Sequence, residues 1–136
     1  MARFPDAAVC DTHALAHHAF DAGRLGKQAA AFFQACDAGQ AVLYVPAAVV
    51  MEFWFVFERR LARRSQSLRD FFEGLFANSA YQPYDLTPEQ VLQAAEVRPN
   101  DDPFDRLICA AALRLDLPLI TRDTAIVEWG RVKVIW

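Results

Sequence analysis

Short apolar runs alternate along this chain with segments of helical period, and that alternation is the tightest constraint on its fold. Between Asp6 and Cys10 an apolar run stops abruptly at Asp11-Thr12-His13, as a strand does when it feeds a polar turn and then a helix. Late in the chain Pro118-Leu119-Ile120-Thr121 behaves the same way, ending at Arg122-Asp123, and Val132 to Trp136 gives a final strand. Strands separated by helices must run mostly parallel, in a sheet covered on both faces. The expected class is therefore α/β, and 136 residues with 54% hydrophobic content suit one domain over 1–136.

The segments between fit this scheme. Lys27 to Cys36 is alanine-rich, carries Phe32 and Phe33, and has Gly39 at a plausible helix stop. Val42 to Val45 is strand-like, and Pro46 opens a long helix in which Val50, Phe53, Trp54, Phe57 and Leu61 recur at helical spacing. Gln66 to Ala77 is a second amphipathic stretch, with Asn78 able to end it. Tyr81 to Leu86 predicts a strand whose Pro83 belongs at an edge or an irregularity, because proline cannot donate to a ladder. Thr87-Pro88-Glu89-Gln90 supplies a cap, a first-turn proline and a capping-box Gln for a helix to Glu96. Asp102-Pro103 repeats the device before Leu107, Ile108, Ala111, Ala112 and Leu115, which puts Asp105 in a first helical turn.

Ligands of open parallel sheets gather outside the carboxyl ends of the strands, near the point where strand order reverses. Asp11 and Asp123 each follow such an end, and tertiary packing could bring Asp105 to the same rim. Glu52 is the only charged residue from Ala47 through Phe57, and an ionised carboxylate in apolar surroundings needs compensation. Four acids in one cavity repel each other and hold their protons more tightly, a conflict that a divalent cation removes. Oxygen donors select magnesium or manganese; zinc would call for imidazole and thiolate. The chemistry this predicts is phosphodiester hydrolysis by cation-activated water, with one or two metals.

Other residues carry competing readings. Asp102, directly before Pro103, suits capping better than catalysis. Asp11 is also a candidate cap, Asp105 a helix-dipole partner, Asp123 a turn residue and Glu52 half of a buried ion pair with an arginine. Glu58 reads as an exposed helix residue. Arg106 and Arg122 flank two of the acids and could contact phosphate, although Arg106 could equally pair with a neighbouring acid. Arg59-Arg60 and Arg63-Arg64 fall late in the long helix, where cations favour the dipole, or they could hold RNA or an acidic partner. His13 and His17 are four apart, which raises a zinc alternative, but they lack the Glu of a His-Glu-x-x-His pattern. Most of the eleven phenylalanines should be core, with an exposed subset at a dimer or partner groove.

Composition removes several classes. A net charge of −3, from 17 acids against 14 Lys and Arg, excludes a broad basic face for duplex binding, so any attraction for nucleic acid is local. Cys10, Cys36 and Cys109 are odd in number and widely spaced, as expected of reduced thiols in the cytoplasm. Met1-Ala2-Arg3-Phe4-Pro5-Asp6 does not read as a secretory leader, and no apolar stretch approaches the ~20 residues of a membrane span.

Three motifs together resemble the PIN domain, and in particular the VapC-type toxins of bacterial toxin-antitoxin pairs. They are Val9-Cys10-Asp11-Thr12-His13-Ala14-Leu15, Asp102-Pro103-Phe104-Asp105-Arg106-Leu107-Ile108 and Leu119-Ile120-Thr121-Arg122-Asp123. The resemblance covers nearly the whole chain and implies a Rossmann-like three-layer fold. It further implies a Mg²⁺- or Mn²⁺-dependent endoribonuclease that works as a homodimer and is held inactive by a cognate VapB-like antitoxin. By motif position Asp11, Glu52, Asp105 and Asp123 form the acidic quartet, Glu52 matching only as an acid on an early helix. Thr12 and Thr121 become hydroxyl neighbours that orient ligands or water. After Leu15 this chain departs from such relatives, with Ala16-His17-His18 in place of a more aromatic run.

Two other functions compete. A haloacid-dehalogenase-like phosphatase also places an Asp after its first strand, but Asp11-Thr12-His13 lacks that family's second Asp two positions on. A PIN-fold binding module without catalysis would not need all four acids.

Overall fold

The computed structural model describes residues 4–136; Met1, Ala2 and Arg3, part of the stretch read for a leader, lie outside the described residues. Five parallel strands form one sheet in the order β3-β2-β1-β4-β5, with helices on both faces. The strands are β1 (Ala7–Cys10), β2 (Val42–Pro46), β3 (Tyr81–Tyr84), β4 (Leu119–Ile120) and β5 (Val134–Ile135). The helices are α1 (Thr12–Phe20), α2 (Lys27–Asp37), α3 (Ala47–Ala62), α4 (Leu68–Phe76), α5 (Pro88–Ala94), α6 (Pro103–Leu115) and α7 (Thr124–Trp129), with a 3₁₀ turn at Ala22–Arg24. From β1 the chain steps outward to β2 and β3, then returns across β1 to β4 and β5. Right-handed crossovers therefore lay the helices of the two halves on opposite faces. Strand order reverses between β1 and β4, so the crevice at their carboxyl ends is the switch point of the sheet.

The central strand shows why the sheet is covered twice. Ala8, Val9 and Cys10 are all fully buried, so successive side chains on both faces of β1 meet packed helices. Phe32 and Phe33 of α2, Leu43 and Val45 of β2, and Ile108 and Cys109 of α6 complete this core. The α3–α4 hairpin is clasped by aromatic rings, with Phe53 centred 5.1 Å from Phe71 and 5.3 Å from Phe72. Among the described residues no helix is long and apolar enough to cross a membrane, and the three cysteines are free and buried.

Capping residues set the helix starts that matter. Ser67 with Asp70, and Thr87 with Gln90, form reciprocal capping boxes at α4 and α5. Asp102 accepts from Phe104 N at 2.8 Å and Asp105 N at 3.3 Å, the capping role read from its place before Pro103. Pro83 lies on β3, which is an edge strand, as its missing donor requires.

Two expectations change. The region after Asp123, read as a strand exit, is the short helix α7; Asp123 caps it through Ile126 N at 3.1 Å, and Gly130 ends it in the left-handed region at φ 73°. β4 and β5 are each two residues long rather than four and five. The surrounding backbone is still paired: Val9 N donates to Pro118 O, Leu119 N to Lys133 O, and Thr121 N to Ile135 O.

Candidate metal centre at the carboxyl rim

The parallel register sets Cys10 beside Ile120, so the next residues, Asp11 and Thr121, leave the sheet side by side at the switch point. Asp11 N donates to Ile120 O at 3.1 Å, which fixes the backbone there. One carboxylate oxygen of Asp11 caps α1 by accepting from Ala14 N at 2.8 Å, and the other accepts the Thr121 hydroxyl. Thr121 Oγ1 in turn accepts from Asp123 N at 3.1 Å. A single buried hydroxyl thus ties the acid after β1 to the acid after β4. Capping leaves Asp11 free lone pairs, so the local role does not preclude a ligand role.

Asp105 reaches the same rim from the first turn of α6. Its orientation comes from Asn100, whose side-chain amide donates to Asp105 Oδ2 at 2.8 Å while its carbonyl accepts from Asp102 N at 2.8 Å. Asn100 was not singled out from the sequence; Asn before Asp-Asp-Pro, a usual turn composition, was the available signal. Glu52 enters from α3 and is 9% exposed, and among the described residues it has no ion-pair partner. The arginine pairing considered for it is absent there.

Burial governs the electrostatics. Asp11, 7% exposed, has its pKa pushed up to about 6, first by loss of water and least by the Asp105 charge, against the pull of Thr121, Ala14 N and His13. Glu52 is raised by burial and then by Asp102 and Asp105, with Thr12 and His13 opposing. Asp105 is raised by burial and then by Asp102 and Asp123, with Asn100 and His13 opposing. The four acids and Asp102 therefore act on one another. His13 is the shared counter-group of three of them, a role its sequence position next to Thr12 did not show.

Thr12 provides the most informative atom. Its hydroxyl is buried and completes no hydrogen bond, although it stands near enough to Glu52 to favour the ionised carboxylate. We take the two as neighbours short of bonding geometry. A buried hydroxyl free to bond among carboxylates fits a polar ligand at this rim. The donors are all oxygen, which fits a hard cation and not zinc. Among the described residues no three His, Cys, Asp or Glu side chains stand close enough together to hold a metal ion by themselves.

Other flanking residues are engaged elsewhere. Arg106 donates to Val97 O at 2.9 Å and Ala95 O at 2.6 Å, closing the carboxyl end of α5. Arg64 likewise donates to Ala19 O and Phe20 O at the end of α1, and Arg60 and Arg64 both lie over the Phe20 ring. Arg122 is exposed beside Asp123, with its guanidinium 5.7 Å from the Trp136 ring centre. His13 and His17 each meet an aromatic ring edge-on, Phe57 and Trp136 respectively.

The PIN domain family model matches residues 8–132, which runs from within β1 through α7. The chain belongs to the PIN domain family. PIN domains are generally nucleases, and they generally use divalent metal ions. Two solved structures share the fold. A toxin-antitoxin complex from Klebsiella pneumoniae is similar at a TM-score of 0.64 and 21% identity, with 95% of this chain and 96% of that one covered. VapBC2 from Rickettsia felis, bound to a DNA fragment from its promoter, is similar at 0.64 and 10% identity, with 94% and 96% covered. No curated protein matches the chain.

Proposed function

We propose that this PIN domain, one domain over 1–136, is a Mg²⁺- or Mn²⁺-dependent endoribonuclease and the toxin of a VapBC-type pair. The observation that carries the reading is the bracket at the switch point. Asp11 and Asp123 are joined through Thr121, with Asp105 and Glu52 turned toward the same rim and the Thr12 hydroxyl left without a partner. Asp11, Asp105, Asp123 and Glu52 would hold the cation between them, one or two directly and the others through its waters. When bound, the cation supplies Lewis acidity, making water more acidic and offsetting charge on the phosphoryl and leaving oxygens. The chain's own residues do the positioning. Ala14 N and the Thr121 hydroxyl each direct one Asp11 oxygen, and Asn100 keeps Asp105 turned inward.

Partners are read from a different surface. On α3, Met51, Trp54, Phe55 and Val56 are all about half exposed, and Trp54 borders a groove of ≈ 340 Å³ lined by Val50, Leu68, Pro83 and Tyr84. An apolar face of this kind favours a protein partner, here a VapB-like antitoxin or the second copy of a homodimer. The two complexes of like fold and the free thiols support an antitoxin partner and a cytoplasmic protein.

Cleavage of RNA in magnesium or manganese, abolished by chelator and by Asp11→Asn, is the expected result. Cutting that persists in chelator, or undiminished cutting by Asp11→Asn, overturns the reading.

A further inference from the structure

Beyond the acids, the rim carries a second assembly of residues. Trp136 directly follows β5, and the Thr121 N to Ile135 O bond of 3.2 Å sets it beside Arg122. Its backbone is pinned: Trp136 O accepts from Gln28 N at 3.0 Å and Ala29 N at 3.4 Å, at the start of α2. Gly26 makes this approach possible, since a Cβ there would lie 2.5 Å from the Trp136 carbonyl carbon and 2.6 Å from Cδ1. The half-buried indole is thus held from behind, and the His17 ring meets it edge-on at 6.2 Å.

Charge concentrates here as well. Arg122, His13 and Arg24 all lie near enough to disfavour protonation of the His17 imidazole, with Asp21 opposing them, so four cationic or protonatable side chains share this flank in a chain of net charge −3. Arg24 has a counter-ion in Asp21 at 3.0 Å. Arg122 has none among the described residues, and its guanidinium lies over the indole at a loose 5.7 Å. A flat aromatic platform with an unpaired guanidinium beside a phosphodiester-cutting centre suits a ligand that is both planar and anionic. An unpaired nucleotide is both, whereas a duplex keeps its bases stacked and out of reach.

We propose that this flank binds one unpaired RNA nucleotide next to the scissile phosphate, with its base on Trp136 and its phosphate on Arg122. The site rests on the reading of RNA as substrate and adds to it the side of the rim along which the strand lies. On binding, the Arg122 guanidinium leaves the ring face for the phosphate, and the base takes its place. His17 closes the outer edge of the platform. The departure of this chain at Ala16-His17-His18 then falls where sequence context would be read.

The test is binding, measured with magnesium present in the Asp11→Asn background so that no cutting intervenes. The probes are labelled mixed-sequence single-stranded RNA, the same-length abasic ribose-phosphate chain, and duplex RNA. Adding Trp136→Leu should weaken RNA binding about five- to a hundredfold. It should leave binding of the abasic chain unchanged, and Trp136→Phe should restore most of the loss. Arg122→Gln should weaken both single-stranded probes and reduce the slope of log affinity against log salt by ~0.7. Equal RNA binding by Trp136→Leu, equal loss on RNA and abasic chain, or duplex binding as tight as single-strand binding would each overturn the proposal. Failure of the Asp11→Asn protein, and of the parent in chelator, to bind any probe overturns this site and RNA as substrate together. The expected binding pattern in a protein whose parent cuts no RNA keeps the nucleotide site and removes the nuclease reading.

Discussion

Replacing Asp11 by Asn should make the metal-free protein more stable, not less. The carboxyl is buried and its pKa stands at about 6 against an ordinary 3.8, a gap that costs about 3 kcal/mol of folding stability once it is ionised, at ~1.4 kcal/mol per unit. The sign follows from proton counting. Between pH ~4 and ~6 the folded chain holds the Asp11 proton more than the unfolded chain does, so stability falls as pH rises through that window. Asn escapes this fall and still accepts from Ala14 N. It strands the Thr121 hydroxyl hydrogen, because Thr121 loses its carboxylate acceptor, at a cost of about 1–2 kcal/mol. The net expectation in chelator is near parity at about pH 5 and an advantage of about 1–2 kcal/mol for Asp11→Asn at about pH 8. Glu52 and Asp105 are present in both proteins and cancel to first order. Urea titrations at the two pH values give the difference directly. Magnesium should then reverse the order by stabilising only the parent, by about 2.7 kcal/mol at a hundredfold excess over its dissociation constant. An Asp11→Asn protein that is less stable at alkaline pH in chelator, or a gap that does not widen with pH, would refute burial as the origin of the shift.

Gly26→Ala should lower the unfolding free energy from urea titration by about 1–3 kcal/mol, because its Cβ would meet the Trp136 carbonyl carbon at 2.5 Å; parent-like stability would show that the end of β5 can move aside. Asn100→Ala removes the donor that favours ionised Asp105, so the acidic limb of the cleavage pH profile should move to higher pH, and an unmoved limb would deny Asn100 its orienting part.

How much of the fold could be read beforehand depended on how local the signal was. Helices with caps and first-turn prolines, such as α5 and α6, declare themselves within four residues, and both begin where Thr87-Pro88 and Asp102-Pro103 place them. α7 has the same ingredients, an Asp cap and a terminal Gly, but six residues carry too little periodicity to outweigh the turn character of Arg122-Asp123-Thr124. Strand length was less legible. Regular pairing in β4 and β5 covers two residues each, although the backbone bonds continue past both ends, and whether a neighbour stays in register is decided by residues far away in the chain. The switch point itself needed only the order of elements: one return across β1 suffices to put Asp11 beside Thr121.

The site was legible as a set of acids and not as a balance of forces. From the sequence, repulsion among four carboxylates is the reason to expect raised pKa values and a cation. In the structure the leading cause is burial for Asp11, Glu52 and Asp105 alike, with the other acids adding less. The separate argument made for Glu52, that a carboxylate among apolar residues must be compensated, therefore extends to Asp11 and Asp105. A cation at this rim has to replace lost hydration before it separates like charges. Thr121, Asn100 and the protein's backbone already supply part of that replacement to Asp11 and Asp105. Glu52 receives the incomplete approach of Thr12 and the charge of His13 but no completed hydrogen bond among the described residues, so its environment is one that a bound cation should change.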